Sequence, residues 1–78
     1  MEPKPVQRVR AFLDALPNDE VVTTAEVLAA TKVSAGGTRI AVLKAHLKEY
    51  WCKPSYHQIY WGNPTAITAL INHLQEEQ

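Results

Sequence analysis

Apolar residues recur at helical spacing along much of this chain. Val6, Val9, Leu13 and Leu16 fall on one stripe, widened by Phe12, with Gln7, Arg8, Arg10 and Asp14 on the other side. This predicts a first helix ending at Leu16, because Pro17 disfavours helical geometry in the residue before it, and Asn18 and Asp19 supply turn chemistry. Val21 and Val22 are a β-branched pair, enough for the edge of a small sheet. Thr23 and Glu26 stand at the S/T-x-x-E spacing of a capping box, which predicts a second helix from about Thr24 to Thr31. Its inward residues are expected to be Val27, Leu28 and Ala29 or Ala30.

A tight turn with an inward Val33 follows, then a stripe of Ile40, Leu43, Leu47 and Tyr50 that predicts a third helix over about 38–50, capped by Ser34 or Thr38. After Tyr50 the texture changes. Trp51-Cys52-Lys53 and Tyr56-His57-Gln58-Ile59-Tyr60-Trp61 are aromatic and β-branched on both sides of a Pro54-Ser55 turn signal, which predicts a β-hairpin over 51–61. Alternation places Ile59 and Trp61 on the core face and Tyr56, Gln58 and Tyr60 on the other, with Tyr60 and Trp51 as hydrophobic cover. Asn63-Pro64 is a helix start, Asn at the N-cap and Pro where its missing N–H costs nothing. Ile67, Leu70, Ile71 and Leu74 then mark an inward stripe on a last helix, whose end at Glu76 and Glu77 opposes the helix dipole and is expected to fray.

Length narrows the possibilities. A chain of 78 residues, 46 % apolar, fits one domain near the lower limit of a self-sufficient core. The lone Cys52 excludes an internal disulfide and Cys-rich zinc scaffolds, so stability must come from packing. No apolar run suggests a signal peptide or a membrane span, and a cytoplasmic protein is expected. Eight basic and eight acidic side chains sum to zero, but unevenly. Met1–Ala30 carries three basic and five acidic residues, Thr31–Tyr60 five and one, and Trp61–Gln78 none and two, giving −2, +4 and −2. The positive third contains the turn, the third helix and the hairpin.

Helix, short strand, helix, turn, helix, two-stranded hairpin, helix is a mainly α arrangement with a small β-hairpin, an α+β fold. Carried by Val22–Ala30, the turn around Val33-Ser34, the helix with Arg39, Ile40, Leu43 and Leu47, and the hairpin, it resembles the winged helix-turn-helix DNA-binding domains over nearly the whole chain. Small stand-alone members are often phage or plasmid regulators, excisionase-like factors among them. The resemblance implies that the third helix enters the major groove of double-stranded DNA while the hairpin, as the wing, lies on the adjacent backbone or minor groove. The chain departs from the pattern in having Gly36-Gly37 where helix-forming polar residues are common, and in its short wing.

On this scaffold the third helix's outward side collects Thr38, Ala41, Val42, Ala45, Lys48 and Glu49, flanked by Arg39, Lys44 and His46. Arg39 suits guanine, Ala41, Val42 and Ala45 suit thymine methyl groups, and Lys44 and Lys48 suit phosphates, with Lys32 counted in the same nucleic-acid-binding set. Gly36 and Gly37, with Ser34 before them, either let a phosphate approach the backbone or simply permit an unusual turn. At the hairpin tip Lys53, Ser55, Tyr56 and His57 can each bond a phosphate or stack. A solvated lysine surface, or an Ala/Val patch for a protein partner, explains the same third-helix residues without DNA.

No enzyme, metal or cofactor is expected. Cys52 and His57 could meet across the hairpin, but no third orienting group is evident, and a buried, inert thiol is the simpler reading of Cys52. His46, His57 and His73 lack ligand spacing, and no P-loop or GxGxxG spacing exists. Two functions remain open: a DNA-reading regulator of transcription or recombination, as a homodimer or paired on DNA, and a protein-interaction module on the same scaffold, such as an inhibitor or adaptor of a nucleic-acid machine.

Overall fold

A computed structural model describes residues 2–56 and 58–76. Val6, Val9 and Leu13 are fully buried on helix α1, Lys4–Asp14, with Phe12 and Leu16 packed against the same core. Pro5 sits in the first turn, where it costs no hydrogen bond. Regular helix stops at Asp14 rather than Leu16, and the Leu16 N–H closes a tighter turn onto the Leu13 carbonyl at 3.1 Å.

Strand β1 is Val22–Thr23, one residue later than the valine pair, and buries Val22. Helix α2, Thr24–Thr31, starts at the expected capping box: the Thr23 hydroxyl accepts from the Glu26 N–H and the Glu26 carboxylate from the Thr23 N–H, both at 3.3 Å. Such a cap contributes about 1 kcal/mol. Val27 and Leu28 are buried as predicted, but Ala29 and Ala30 are exposed and Thr31 takes the third inward position. Its hydroxyl donates to the Val27 carbonyl at 2.7 Å, which satisfies the buried polar group. At the helix end Lys32 adopts φ 58°, ψ 37°, and the Val33 N–H reaches back to the Leu28 carbonyl at 3.1 Å while the Val33 side chain is buried. This is the left-handed helix stop that usually takes glycine.

Helix α3 runs Gly37–His46, shorter than the predicted 38–50. Gly36 is its N-cap and no side chain caps it, so neither Ser34 nor Thr38 does so. Leu47 leaves helical geometry at φ −117°, ψ 43°, and Lys48–Tyr50 form a separate 3₁₀ turn. Tertiary partners take the carbonyls at this end. The Trp51 indole N–H donates to Lys44 at 3.0 Å and the Arg10 guanidinium to His46 at 3.5 Å, so those two carbonyls are satisfied without further helix.

A hairpin forms over the expected residues, as β2, Trp51–Ser55, and β3, Gln58–Trp61, but Pro54 and Ser55 belong to β2 and not to the turn, which follows them at Tyr56. The sheet is antiparallel in the order β1-β3-β2, pairing Trp61 with both Val22 and Trp51, with an irregularity between Cys52 and Ser55. Trp61 is fully buried in the central strand, its indole N–H on the Thr24 hydroxyl at 2.8 Å. Ile59 and Trp51 pack against the same core, and Tyr60 is half-buried.

Buried Asn63 opens helix α4, Pro64–Glu76, its side-chain oxygen accepting from the Ala66 N–H at 2.8 Å. Of the expected stripe only Ile67 is buried. Leu70 and Leu74 are half-buried, and Ile71 is 39 % exposed. α4 rests chiefly on β2 and the 3₁₀ turn, and this single layer covers a narrower strip than the apolar pattern offers. The expected fraying over 75–78 does not hold at Gln75 and Glu76, which are helical, and 77–78 lie outside the described residues. Among the described residues, four helices and a three-stranded antiparallel sheet thus make a mixed α+β fold, and no helix is long and apolar enough to cross a membrane.

Candidate nucleic-acid interface

The basic side chains divide into two groups according to what they do inside the fold. Arg8 and Arg10 of α1 are engaged, whereas Lys4 in its first turn is exposed and makes no side-chain hydrogen bond or ion pair among the described residues. Arg8 donates to the Thr31 carbonyl at the end of α2. Arg10 pairs with Glu2, reaches the His46 carbonyl at the end of α3, and lies 5.9 Å from the centroid of the Tyr50 ring. Each arginine therefore places its cation at the negative end of a helix, where the dipole favours it.

Lys32, Arg39 and Lys48 behave differently. All three are exposed, and among the described residues none makes a side-chain hydrogen bond or an ion pair. Lys32 stands at the α2 stop, Arg39 in the first turn of α3 and Lys48 in the 3₁₀ turn that follows α3. Helix α3 carries no acidic residue, and its long packing contact is with α1. Thr38, Arg39, Ala41 and Ala45 face solvent, as do Ser34, Gly36 and Gly37 just before them. A Cβ added at either glycine would meet nothing within 4 Å, so close packing inside the protein does not explain them.

Three members of the predicted surface are placed otherwise. Val42 is half-buried and packs against the core, so it does not join Ala41 and Ala45 on the outward side. Lys44 is half-buried too, its ammonium 4.8 Å from the Trp51 ring centroid. Lys48 lies outside α3 altogether, because the helix ends two residues earlier. Periodicity alone could not separate these, since the break at Leu47 depends on partners distant in the chain.

On the hairpin, Lys53 and Ser55 are exposed, and Tyr56 at the tip is 84 % exposed with the Lys53 ammonium 5.5 Å from its ring centroid. His57 lies outside the described residues, and with it the suggested meeting with Cys52. Cys52 is half-buried opposite Tyr60, and burial raises its thiol pKa, which leaves little nucleophilic thiolate at neutral pH.

Sequence reasoning did not single out the group where α1 meets the end of α3. Hydrogen bonding from Arg10, above all, holds the Glu2 carboxyl below its usual range. Burial, then a hydrogen bond with Asp14, raises the Tyr50 phenol. The only legible signal was the placement of Glu2 and Arg10 around the first helix. Comparison with known proteins gives no match to a family model, a curated protein or a solved structure.

Proposed function

We propose that this chain is a winged-helix domain that binds double-stranded DNA without catalysing a reaction, as a small regulator of transcription or recombination. The observation that carries this reading is the division among the cations: Arg8 and Arg10 hold helices together, whereas Lys32, Arg39 and Lys48, like Lys4 at the start of α1, have no such work among the described residues. Lys32 adds weight, because a non-glycine residue in left-handed geometry costs about 1 kcal/mol and here places an ammonium on the loop leading to α3. The strand order β1-β3-β2 and the hairpin following α3 in the chain support the winged-helix reading.

In this reading Arg39, with Thr38, Ala41 and Ala45, faces the major groove. Lys32, Lys48, Ser34 and the open backbone at Gly36 and Gly37 meet phosphates, and Lys53, Ser55 and Tyr56 form the wing contact. Four exposed cations, Lys32, Arg39, Lys48 and Lys53, imply a slope of log K against log salt near about −3.6. One copy binds modestly, and two copies pair on adjacent half-sites. Anisotropy titrations of labelled random and genomic duplexes at two salt concentrations test this. Salt-dependent binding that falls in an Arg39→Gln, Lys48→Gln double variant is expected. Binding that is absent at low salt, or indifferent to salt and to both substitutions, overturns it.

A further inference from the structure

An open cleft of about 440 Å³ separates the first turn of α1 from the start of α3. Pro3 and Pro5 form one apolar wall, Val42 and Leu43 supply apolar surface from α3, and Gly37 and Arg39 also line it. Arg39 is its one charged lining residue and has no carboxylate partner among the described residues. A volume in this range holds a compact ligand or a few side chains.

An occupant must meet two demands together. It needs an apolar body for the prolines, Val42 and Leu43, and an anion for Arg39. A DNA phosphate answers only the second, because the apolar groups a duplex presents in its major groove are the thymine methyls. An aliphatic or aromatic side chain next to an aspartate or glutamate answers both.

We propose that the cleft between α1 and α3 binds a short acidic and hydrophobic peptide segment of a protein partner, its apolar side chain against Pro3, Pro5 and Val42 and its carboxylate on Arg39. Arg39 then serves two ligands. Peptide and DNA compete for it, a consequence that rests on the DNA reading above, while the peptide site does not.

The test uses the whole chain and a fluorescein-labelled acetyl-Asp-Leu-Phe-Asp-amide probe without DNA. Acetyl-Asp-Ser-Ser-Asp-amide and acetyl-Asn-Leu-Phe-Asn-amide serve as controls. The first probe is expected to bind at least about tenfold more tightly than the serine control, as one or two buried apolar side chains allow. Arg39→Gln should weaken it about two- to fivefold, the range of an exposed ion pair, and leave the asparagine control unchanged. Gly37→Phe, grown from a position where a Cβ meets nothing within 4 Å, should narrow the cleft and abolish binding while the circular dichroism spectrum stays that of the parent. Equal binding of all three probes, or a folded Gly37→Phe variant that binds like the parent, overturns the proposal. In a second arm, added duplex should release the probe. If duplex binds and the probe stays, the shared use of Arg39 is wrong. If duplex itself does not bind, the DNA reading fails and the peptide result stands.

Discussion

Lys44 and Trp51 are joined twice: the Trp51 indole N–H donates to the Lys44 carbonyl at 3.0 Å, and the Lys44 ammonium lies 4.8 Å from the centroid of the same indole ring. The first contact satisfies a carbonyl in the last turn of α3, and the second holds a cation away from free solvent. Trp51→Phe keeps a ring but loses the N–H, and is expected to cost about 1–2 kcal/mol. For a domain of this size each kcal/mol lowers Tm by about 4–8 °C. Lys44→Gln should cost about 0.5–1 kcal/mol and change DNA affinity less than Arg39→Gln does. Urea titrations and anisotropy on the same variants check both.

Asn63 ties three segments together. Its side-chain amide donates to the Leu16 carbonyl at 3.0 Å and to the Asn18 side-chain oxygen at 2.9 Å, while its oxygen caps α4. Asn63→Ala should destabilise by about 2–4 kcal/mol, because it removes the cap and leaves the Leu16 carbonyl without this donor. Asn63→Ser restores only the cap and should recover about 1 kcal/mol. Equal stability of the two variants would show that the cap contributes nothing.

Lys32 separates stability from binding. At φ 58° glycine is unstrained, so Lys32→Gly should raise stability by about 0.5–1 kcal/mol. The same change should make the salt slope of DNA binding shallower by about 0.9. Lys32→Arg should leave both near the parent values. Thermal melts and salt-series titrations read the two effects separately, and an unchanged slope in Lys32→Gly removes this residue from the interface.

The fold should lose stability at alkaline pH. Burial raises the Tyr50 phenol, with a hydrogen bond to Asp14 adding to it, so the folded state favours the protonated form. That preference is fully present below the ordinary tyrosine value of about 10 and is lost as pH rises through the folded value. Burial raises the Cys52 thiol, which acts in the same direction from about pH 8.5 upward. Urea midpoints should therefore fall between about pH 9 and 11, and Tyr50→Phe should flatten the fall. Glu2 has the opposite sign: its lowered carboxyl contributes above the ordinary glutamate value and loses that contribution as pH drops through the folded one.

Signals confined to a few neighbouring residues are legible in the sequence itself. The Thr23/Glu26 box places the start of α2, Asn63-Pro64 places that of α4, and the aromatic, β-branched pattern over 51–61 places the hairpin, though not its turn. Each is a hydrogen bond or dihedral preference closed within about four residues, so the chain needs no distant partner to express it. The stripe Ile40, Leu43, Leu47, Tyr50 reads as one helix for the same local reason, yet the backbone turns away at Leu47. The carbonyls of Lys44 and His46 find Trp51, seven positions on, and Arg10, thirty-six back. That competition exists only once α1, α3 and β2 have met. It also sorts the cations, since Arg10 and Lys44 differ from Arg39 and Lys48 by the groups packing brings beside them. Local hydrogen bonding and hydrophobic period thus lay out the elements and their order, while long-range packing decides where α3 ends and which charges remain open to a partner.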